Sequence, residues 1–187
     1  MKIKEIFEKE LSQNIKTHLM LRDLLPEIDS AIKIIHKKIK LGGKLLFCGN
    51  GGSAADAQHL SSELLNRYKE ERRELPGITL TADGSTLSSI GNDYDFSLIF
   101  SKQINALASP NDLVFLITTS GNSVNILEAC KAAHNNGIAN IILSGKDGGA
   151  LSKILADTDL EICVPGSSTA RIQEVHGLII HCLCELI

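Results

Sequence analysis

Apolar residues recur three or four positions apart along the first forty positions of the chain, which is the spacing of one helix face. Pro26 interrupts this pattern and Gly42 ends it. The apolar positions on either side of the proline are Ile3, Ile6, Phe7, Leu11, Ile15, Leu19 and Leu24, then Ile28, Ile32, Ile35 and Ile39. The pattern predicts an N-terminal helical hairpin, residues 1–41, whose apolar stripe suits packing within the chain and against a partner subunit equally well.

From residue 44 onward, short apolar runs alternate with segments of helical spacing. The runs predict strands at residues 44–48, 78–82, 113–118, 138–143 and 160–164. The remaining segments predict helices at residues 53–66, 95–108, 123–135, near 150–155 and at 169–187. Three runs are continuously apolar, as in strands covered on both faces. This α/β alternation predicts an open, doubly wound, parallel five-stranded sheet of flavodoxin-like type, in a single domain of residues 1–187 with its core in 42–187.

Composition restricts the class of protein and the class of partner. The 187 residues are 43% hydrophobic and 22% charged, as in ordinary soluble proteins. The net charge of −3 gives no electrostatic reason to expect nucleic acid or an anionic membrane as a partner. The apolar stretches are too short to span a bilayer and the charged N-terminus is not a secretory signal, so we expect a cytoplasmic protein. The five cysteines lack metal or disulfide spacing and are expected to be small buried residues.

Polar loops follow the predicted strands, where ligands bind in open parallel sheets. The first strand leads into Asn50, Gly51, Gly52 and Ser53 at the start of a helix. Free backbone N–H groups and a hydroxyl at a helix start suit a phosphate or sugar oxygen.

The loop after the third strand is also rich in donors. Its residues are Thr118, Thr119, Ser120, Gly121, Asn122 and Ser123. Helix capping by Ser120 or Ser123 would need one such residue, whereas six small or polar residues exceed that need. The loop therefore predicts an anion site without lysine or arginine. After the second strand, Asn92 and Asp93 could accept sugar hydroxyls, but local turn chemistry explains them equally well.

Two helices carry candidate acid–base or metal-binding groups. His59 and Glu63 are four apart on one face, which suits proton transfer or a metal, but also suits a surface pair. The last helix carries Gln173, Glu174 and His181, although a lone histidine in an apolar helix is more often a core residue. Gln173 and His181 differ by about 12 Å of rise and about 80° of rotation, so both reach one ligand only if it lies beside the helix between them.

Three motifs resemble the phosphoheptose isomerase family of the sugar isomerase (SIS) domain superfamily. They are Gly-Asn-Gly-Gly-Ser-Ala-Ala-Asp-Ala-Gln-His at 49–59, Thr-Ser-Gly-Asn-Ser at 119–123, and Ser-Thr-Ala-Arg-Ile-Gln-Glu-Val-His at 168–176 with the later His181. The resemblance covers essentially the whole chain. It implies conversion of sedoheptulose 7-phosphate to D-glycero-D-manno-heptose 7-phosphate, for ADP-heptose and lipopolysaccharide-type glycans, by a homotetramer with one zinc ion per subunit.

The resemblance also implies a role for particular residues of this chain. It implies His59, Glu63, Gln173 and His181 as zinc ligands. The implied substrate contacts are Asn50, Gly51, Gly52, Ser53, Glu63, Asn92, Asp93, Thr118, Thr119, Ser120, Ser123 and Gln173. Position 118 is threonine where the family pattern has serine, which keeps the hydroxyl.

Ketose–aldose isomerisation through an enediol needs a base near two carbons and an acid near two oxygens. We assign Glu63 as the base and His181 as the acid. A carboxylate on zinc is a weaker base, so Glu63 either ligates through one oxygen and abstracts through the other, or the metal binds loosely. The alternatives are a non-enzymatic SIS-domain protein that binds a sugar phosphate or a replication initiator, and an isomerase for arabinose 5-phosphate. The first would not need Glu63 and His181, and the second resembles longer chains.

Overall fold

A five-stranded parallel sheet lies at the centre of the computed structural model, which describes residues 2–187. The strands are β1 (Leu45–Gly49), β2 (Gly77–Thr79), β3 (Leu113–Ile117), β4 (Ala139–Gly145) and β5 (Leu160–Val164). Their spatial order is β2-β1-β3-β4-β5, and every neighbouring pair is parallel. The chain therefore leaves β1 toward one side for β2 and returns to the other side for β3. The loops after β1 and β3 flank this switch point, where ligands bind in such sheets.

Within residues 2–187, seven α-helices surround the sheet. They are α1 (Ile3–Leu19), α2 (Leu25–Lys40), α3 (Gly52–Leu65), α4 (Gly84–Asp93), α5 (Ser101–Leu107), α6 (Val124–Asn135) and α7 (Thr169–Leu186). Short 3₁₀ segments at Met20–Leu24 and Phe96–Leu98 join α1 to α2 and precede α5. The predicted α/β class and doubly wound parallel sheet are confirmed.

The apolar strands bury side chains on both faces of the sheet, as their sequence predicts. One face packs against α2, α3 and α7 through residues such as Ile35, Leu60 and Ile179. The other packs against α5 and α6 through residues such as Ile104 and Ala129. The helix that follows β1 and the C-terminal helix therefore share one side of the sheet, and α3 packs directly against α7.

Both helices of the N-terminal segment are present, with Pro26 in the first turn of α2, where it needs no hydrogen-bond partner. The helix α2 packs on the sheet, whereas α1 lies against α7, where Arg171 donates to the Glu10 carbonyl at 2.8 Å. The apolar stripe of α1 remains exposed, up to 87% at Ile3 and 63% at Phe7. None of the helices within residues 2–187 is both long and apolar enough to cross a membrane.

The chain departs from the predicted elements in the β2 region and near residue 150. Strand β2 has three residues, and residues 84–93, expected as a loop, form α4. The predicted helix at 95–108 divides into a 3₁₀ segment and α5. The short helix near 150–155 was wrong. Gly148 and Gly149 have positive φ, the Leu151 amide donates to the Gly121 carbonyl, and the segment forms successive turns.

Candidate active site

The glycine turn after β1 brings the start of α3 against the end of the strand. Gly51 adopts φ 55°, which favours glycine, and a Cβ at Gly49 would overlap the Ser53 backbone. The turn leaves Ser53 buried at the first turn of α3. The Asn50 side chain exchanges two hydrogen bonds of 2.8 Å with Asn125 on α6, so the loop after β1 is attached to the helix that follows β3.

The loop after β3 lies beside this turn because β1 and β3 are adjacent, with Gly49 opposite Ile117. Thr118 is 4% exposed, and its hydroxyl accepts a hydrogen bond from the Gly121 amide at 3.2 Å. Ser123 is the N-cap position of α6. The two loops together enclose a cleft of about 160 Å³, lined by Asn50, Ser53, Ile117, Thr118, Thr119, Ser120 and Ser123. Hydroxyls, an amide and the starts of two helices thus converge, an arrangement that binds anions.

A wider cleft of about 600 Å³ continues from the first and shares Asn50 and Ser123 with it. Its other wall is formed by Asp95, Phe96 and Ser97, which follow α4. Asn92 and Asp93 lie exposed on the last turn of α4, and the Asn92 amide donates to the Asp93 carboxylate at 2.9 Å. Their hydrogen bond is therefore to each other rather than to the two strand-end loops.

His59, Glu63 and His181 come together where α3 packs against α7. The Nε2 atoms of His59 and His181 are 3.2 Å apart, and His59 Nε2 is 3.5 Å from a carboxylate oxygen of Glu63. His59 is half-exposed and Glu63 is mostly buried, so the group faces solvent on one side. Two imidazoles at this distance can share one proton, or both can bind a single cation.

Gln173 lies on α7 about two turns before His181. Its amide lies directly over Gly52, where a Cβ atom would overlap it. Gln173 therefore pairs with the start of α3 and His181 pairs with its middle, which shows that the two helices run in the same direction. The Gln173 amide lies about 10 Å before His59 along α3, because seven residues separate Gly52 from His59.

Two residues at this site were missed by sequence reasoning. Tyr68 stacks on the His181 ring, with 5.7 Å between centroids and 16° between planes. Arg72 lies in the charged run at residues 69–74 and donates to the Glu63 carbonyl at 2.9 Å and to the Cys184 carbonyl at 2.7 Å. It ties the end of α3 to the end of α7. The run of charge gave no signal that one arginine turns inward.

Asp56 lies on α3 one turn before His59, and one of its oxygens is buried without a hydrogen-bond partner. Burial raises the pKa of this carboxyl to about 6, and the nearby His59 opposes the rise.

Cys184 is buried beside Glu63, and both burial and that carboxylate raise the pKa of its thiol, to about 12. Burial also raises the pKa of Cys48 far above its usual range, so neither thiol is activated as a nucleophile. All five cysteines are free, with Cys163 and Cys182 only partly buried.

The chain is similar to known proteins along nearly its whole length. A family model described as the SIS domain matches residues 10–145. The phosphoheptose isomerase of Chromohalobacter salexigens is 54% identical over 164 residues, which are 88% of this chain and 83% of the relative. That of Shewanella loihica is 49% identical, covering 97% of this chain and 92% of the relative.

Solved structures agree with these sequence matches. The phosphoheptose isomerase of Neisseria gonorrhoeae superposes with a TM-score of 0.94 at 41% identity, covering 98% of this chain and 97% of that one. That of Francisella tularensis gives the same TM-score and identity and covers 100% of this chain and 98% of that one. The expected family is confirmed by independent sequence and structural comparisons. This chain belongs to the phosphoheptose isomerase family of SIS-domain proteins.

Proposed function

We propose that this protein converts sedoheptulose 7-phosphate to D-glycero-D-manno-heptose 7-phosphate through an enediol, supplying heptose for ADP-heptose and lipopolysaccharide-type glycans. The observation that carries the proposal is the cluster of His59, Glu63 and His181 on two packed helices. A carboxylate and an imidazole at one place are the base and the acid that isomerisation needs.

The phosphate end of the substrate would bind in the cleft between the loops after β1 and β3. Thr119, Ser120 and Ser123 line this cleft and offer hydroxyl donors, and the start of α6 adds backbone N–H groups. Helix starts and hydroxyls hold a phosphate without a cationic side chain. Asn50 and Ser53 would contact the sugar and, with Asn92, Asp93, Gly51, Gly52 and Gln173, complete the proposed substrate contacts.

Glu63 would act on the carbon-bound proton. Its carboxylate removes a proton from C1 of the ketose, forms the enediol, and returns a proton to C2 to give the aldose. His181 would give a proton to the C2 carbonyl oxygen and remove one from the C1 hydroxyl. Tyr68 stacked on the ring and His59 at Nε2 leave His181 little freedom to rotate, so the acid is held in place.

His59, Glu63 and His181 fit a zinc ion. Two nitrogens bound to tetrahedral zinc lie about 3.3 Å apart, close to the 3.2 Å between the Nε2 atoms of His59 and His181. Glu63 supplies a carboxylate oxygen 3.5 Å from His59 Nε2, whereas the Gln173 amide lies over Gly52, apart from the other three, so its role as fourth ligand is supported by the family resemblance alone. A bound zinc ion would polarise the two substrate oxygens. Glu63 could ligate through one oxygen and abstract the proton through the other.

The proposed assembly is a cytoplasmic homotetramer. Support for an assembly comes from α1, whose apolar residues Ile3, Phe7, Ile15 and Leu19 are exposed in the single chain. Contiguous exposed apolar surface of this kind is typical of interaction sites. The net charge of −3 gives no reason to add nucleic acid or a membrane as a partner.

A non-enzymatic sugar-phosphate sensor is the less favoured function. Such a protein needs the hydroxyl-lined cleft but has no use for a carboxylate beside paired imidazoles. The test is to incubate the protein separately with sedoheptulose 7-phosphate and arabinose 5-phosphate and to follow aldose–ketose exchange by NMR. We expect exchange with the first sugar and little with the second. Binding without exchange for both sugars would favour the sensor.

A further inference from the structure

A second group of side chains that can bind a metal lies at the opposite end of the sheet from the substrate cleft. Cys130 and His134 are one turn apart on α6, and Asp159 lies just before β5. One ligand atom from each of the three lies within 4.8 Å of the others. The separations are 2.6 Å from His134 Nε2 to a carboxylate oxygen of Asp159, and 3.8 Å from the same nitrogen to Cys130 Sγ.

The function proposed above uses none of these side chains. The cleft lies at the carboxyl ends of β1 and β3, whereas Asp159 precedes β5 and Asn140 lies near the amino end of β4. This cluster joins α6 to β4 and β5. Thiolate, imidazole and carboxylate are the side chains that bind zinc, and three protein ligands leave one position for water.

Neighbouring groups already hold the three side chains in place. Asp159 accepts hydrogen bonds from the backbone amides of Ala156 at 3.0 Å and Asn140 at 2.8 Å. The Asn140 amide nitrogen lies 3.6 Å from Cys130 Sγ, so it can donate to a thiolate. Such outer contacts orient metal ligands and tune their basicity.

One buried atom in this cluster lacks a partner. Asn140 is 1% exposed, and its side-chain oxygen accepts no hydrogen bond. A buried polar atom without a partner is uncommon and often marks a water or an ion. The cluster is therefore incomplete as a hydrogen-bond network, even though its other members are paired.

An ion can reach the cluster from solvent. The side chains of Cys130 and Asp159 are fully buried, whereas the side chain of His134 is 24% exposed. His134 thus forms the accessible wall, and the water ligand would lie on that side. The separation of 3.8 Å between sulfur and nitrogen is near the value of about 3.6 Å for two ligands of tetrahedral zinc. The contact between His134 and Asp159 would widen to about 3.3 Å.

We propose that Cys130, His134 and Asp159 form a second metal site, suited to Zn²⁺, that braces α6 against the start of β5. Binding releases the Cys130 thiol proton to solvent, and the imidazole stays neutral by carrying its proton on Nδ1 instead of Nε2. The metal then replaces the hydrogen bond between His134 and Asp159. Its role is structural, since it lies away from the substrate cleft.

Cobalt distinguishes this site from the one at His59, because a thiolate bound to Co²⁺ gives an intense near-ultraviolet charge-transfer band. The ligands proposed at His59, Glu63, Gln173 and His181 contain no sulfur. The experiment titrates chelator-treated, full-length protein with Co²⁺. We expect a band that saturates by two equivalents per chain in the wild-type protein, because the site at His59 also takes up Co²⁺, and by one equivalent in His59→Ala. The band should be lost in Cys130→Ser and should remain in Cys184→Ala.

Because Cys130 is buried, loss of the band in Cys130→Ser could also arise from misfolding. A second variant, at the more exposed His134, separates the two explanations. His134→Gln alters a partly exposed side chain and should weaken Co²⁺ binding at least about tenfold, whereas His18→Gln on α1 should not. Absence of the band in the wild-type protein at several equivalents of Co²⁺ would overturn the proposal. A band of equal intensity in Cys130→Ser, or equal Co²⁺ affinity in His134→Gln, would overturn it as well.

Discussion

The Nε2 atoms of His59 and His181 lie 3.2 Å apart, although 122 positions separate the two residues in the sequence. The contact exists because α3 and α7 pack side by side on the same face of the sheet. Glu63 lies one turn after His59 on α3 and completes the group. The proposed chemistry depends on this packing, and each part of it can be tested separately.

Glu63→Gln should lower kcat by about a thousandfold, because the amide cannot accept the carbon-bound proton. The melting temperature should change little, since the amide keeps the size of the side chain. Glu185→Gln, an exposed carboxylate on α7 paired with Lys69, is the matched control and should retain full activity. Turnover within a few-fold of wild type in Glu63→Gln would remove Glu63 as the base.

Arg72→Met should destabilise the protein by about 2 kcal/mol, because it removes two hydrogen bonds from a cation to helix-end carbonyls. It should also lower kcat more than it raises KM, since the ends of the helices that carry Glu63 and His181 are no longer tied. Arg73→Met changes the neighbouring exposed arginine and serves as control. Urea unfolding and steady-state kinetics give both readouts; identical behaviour of the two variants would show that the Arg72 contacts are unimportant.

Thr119→Val combined with Ser120→Ala should raise the KM for the phosphorylated sugar at least about tenfold, because two donors to the phosphate are lost. The melting temperature should change much less. Ser89→Ala on α4, whose hydroxyl bonds to its own helix backbone, should leave KM unchanged. An unaltered KM in the double variant would place the phosphate elsewhere.

The enzymatic activity should depend on zinc bound by the imidazoles of His59 and His181. Dialysis against a chelator should lower the rate, and added Zn²⁺ should restore it. His181→Gln should bind one zinc ion fewer per chain by mass spectrometry. Full activity of metal-free protein would make zinc incidental to catalysis and would leave Glu63 and His181 as the acid–base pair.

His176 predicts how stability depends on pH. It is 0% exposed, its Nε2 donates to the Ser144 carbonyl at 2.8 Å, and burial lowers its pKa to about 4. The unfolded chain binds the proton near pH 6.5 and the folded chain only near pH 4. Stability from the neutral ring is therefore complete above about pH 6.5 and falls by about 3 kcal/mol as the pH drops to 4.

Urea unfolding of wild type and His176→Gln between pH 4 and pH 7.5 measures this term. The variant keeps a donor for the Ser144 carbonyl but has no proton to gain. The difference in the free energy of unfolding between wild type and variant should therefore shrink as the pH falls. A difference that stays constant over this range would show that His176 does not set the dependence.

The strands were predictable because a doubly covered strand needs an uninterrupted apolar run, as in Leu113–Ile117. Helix α4 was missed because six of its ten residues are Gly, Ser or Asn, which have low helix propensity. Its N-cap is Asp83, whose carboxylate accepts hydrogen bonds from the amides of Ser85 and Thr86. The predicted helix near 150–155 was wrong because the Ser152 hydroxyl is held by Glu161 within a series of turns.

The candidate site was also predictable only in part. Loop residues such as Ser53 and Ser120 could be identified from their positions after strands β1 and β3, and the sheet topology brings these two loops together. Contacts between distant segments could not be foreseen. The pairing of Asn50 with Asn125, the stacking of Tyr68 on His181 and the inward turn of Arg72 all depend on how helices pack.

The most direct test of the account is proton exchange during turnover of sedoheptulose 7-phosphate in D₂O, followed by NMR. A base that removes a proton to form an enediol exchanges part of it with solvent, so deuterium should appear at C2 of the aldose in wild type and be absent with Glu63→Gln. Aldose formed at full rate with only protium at C2, or equal deuterium incorporation by Glu63→Gln, would contradict the account.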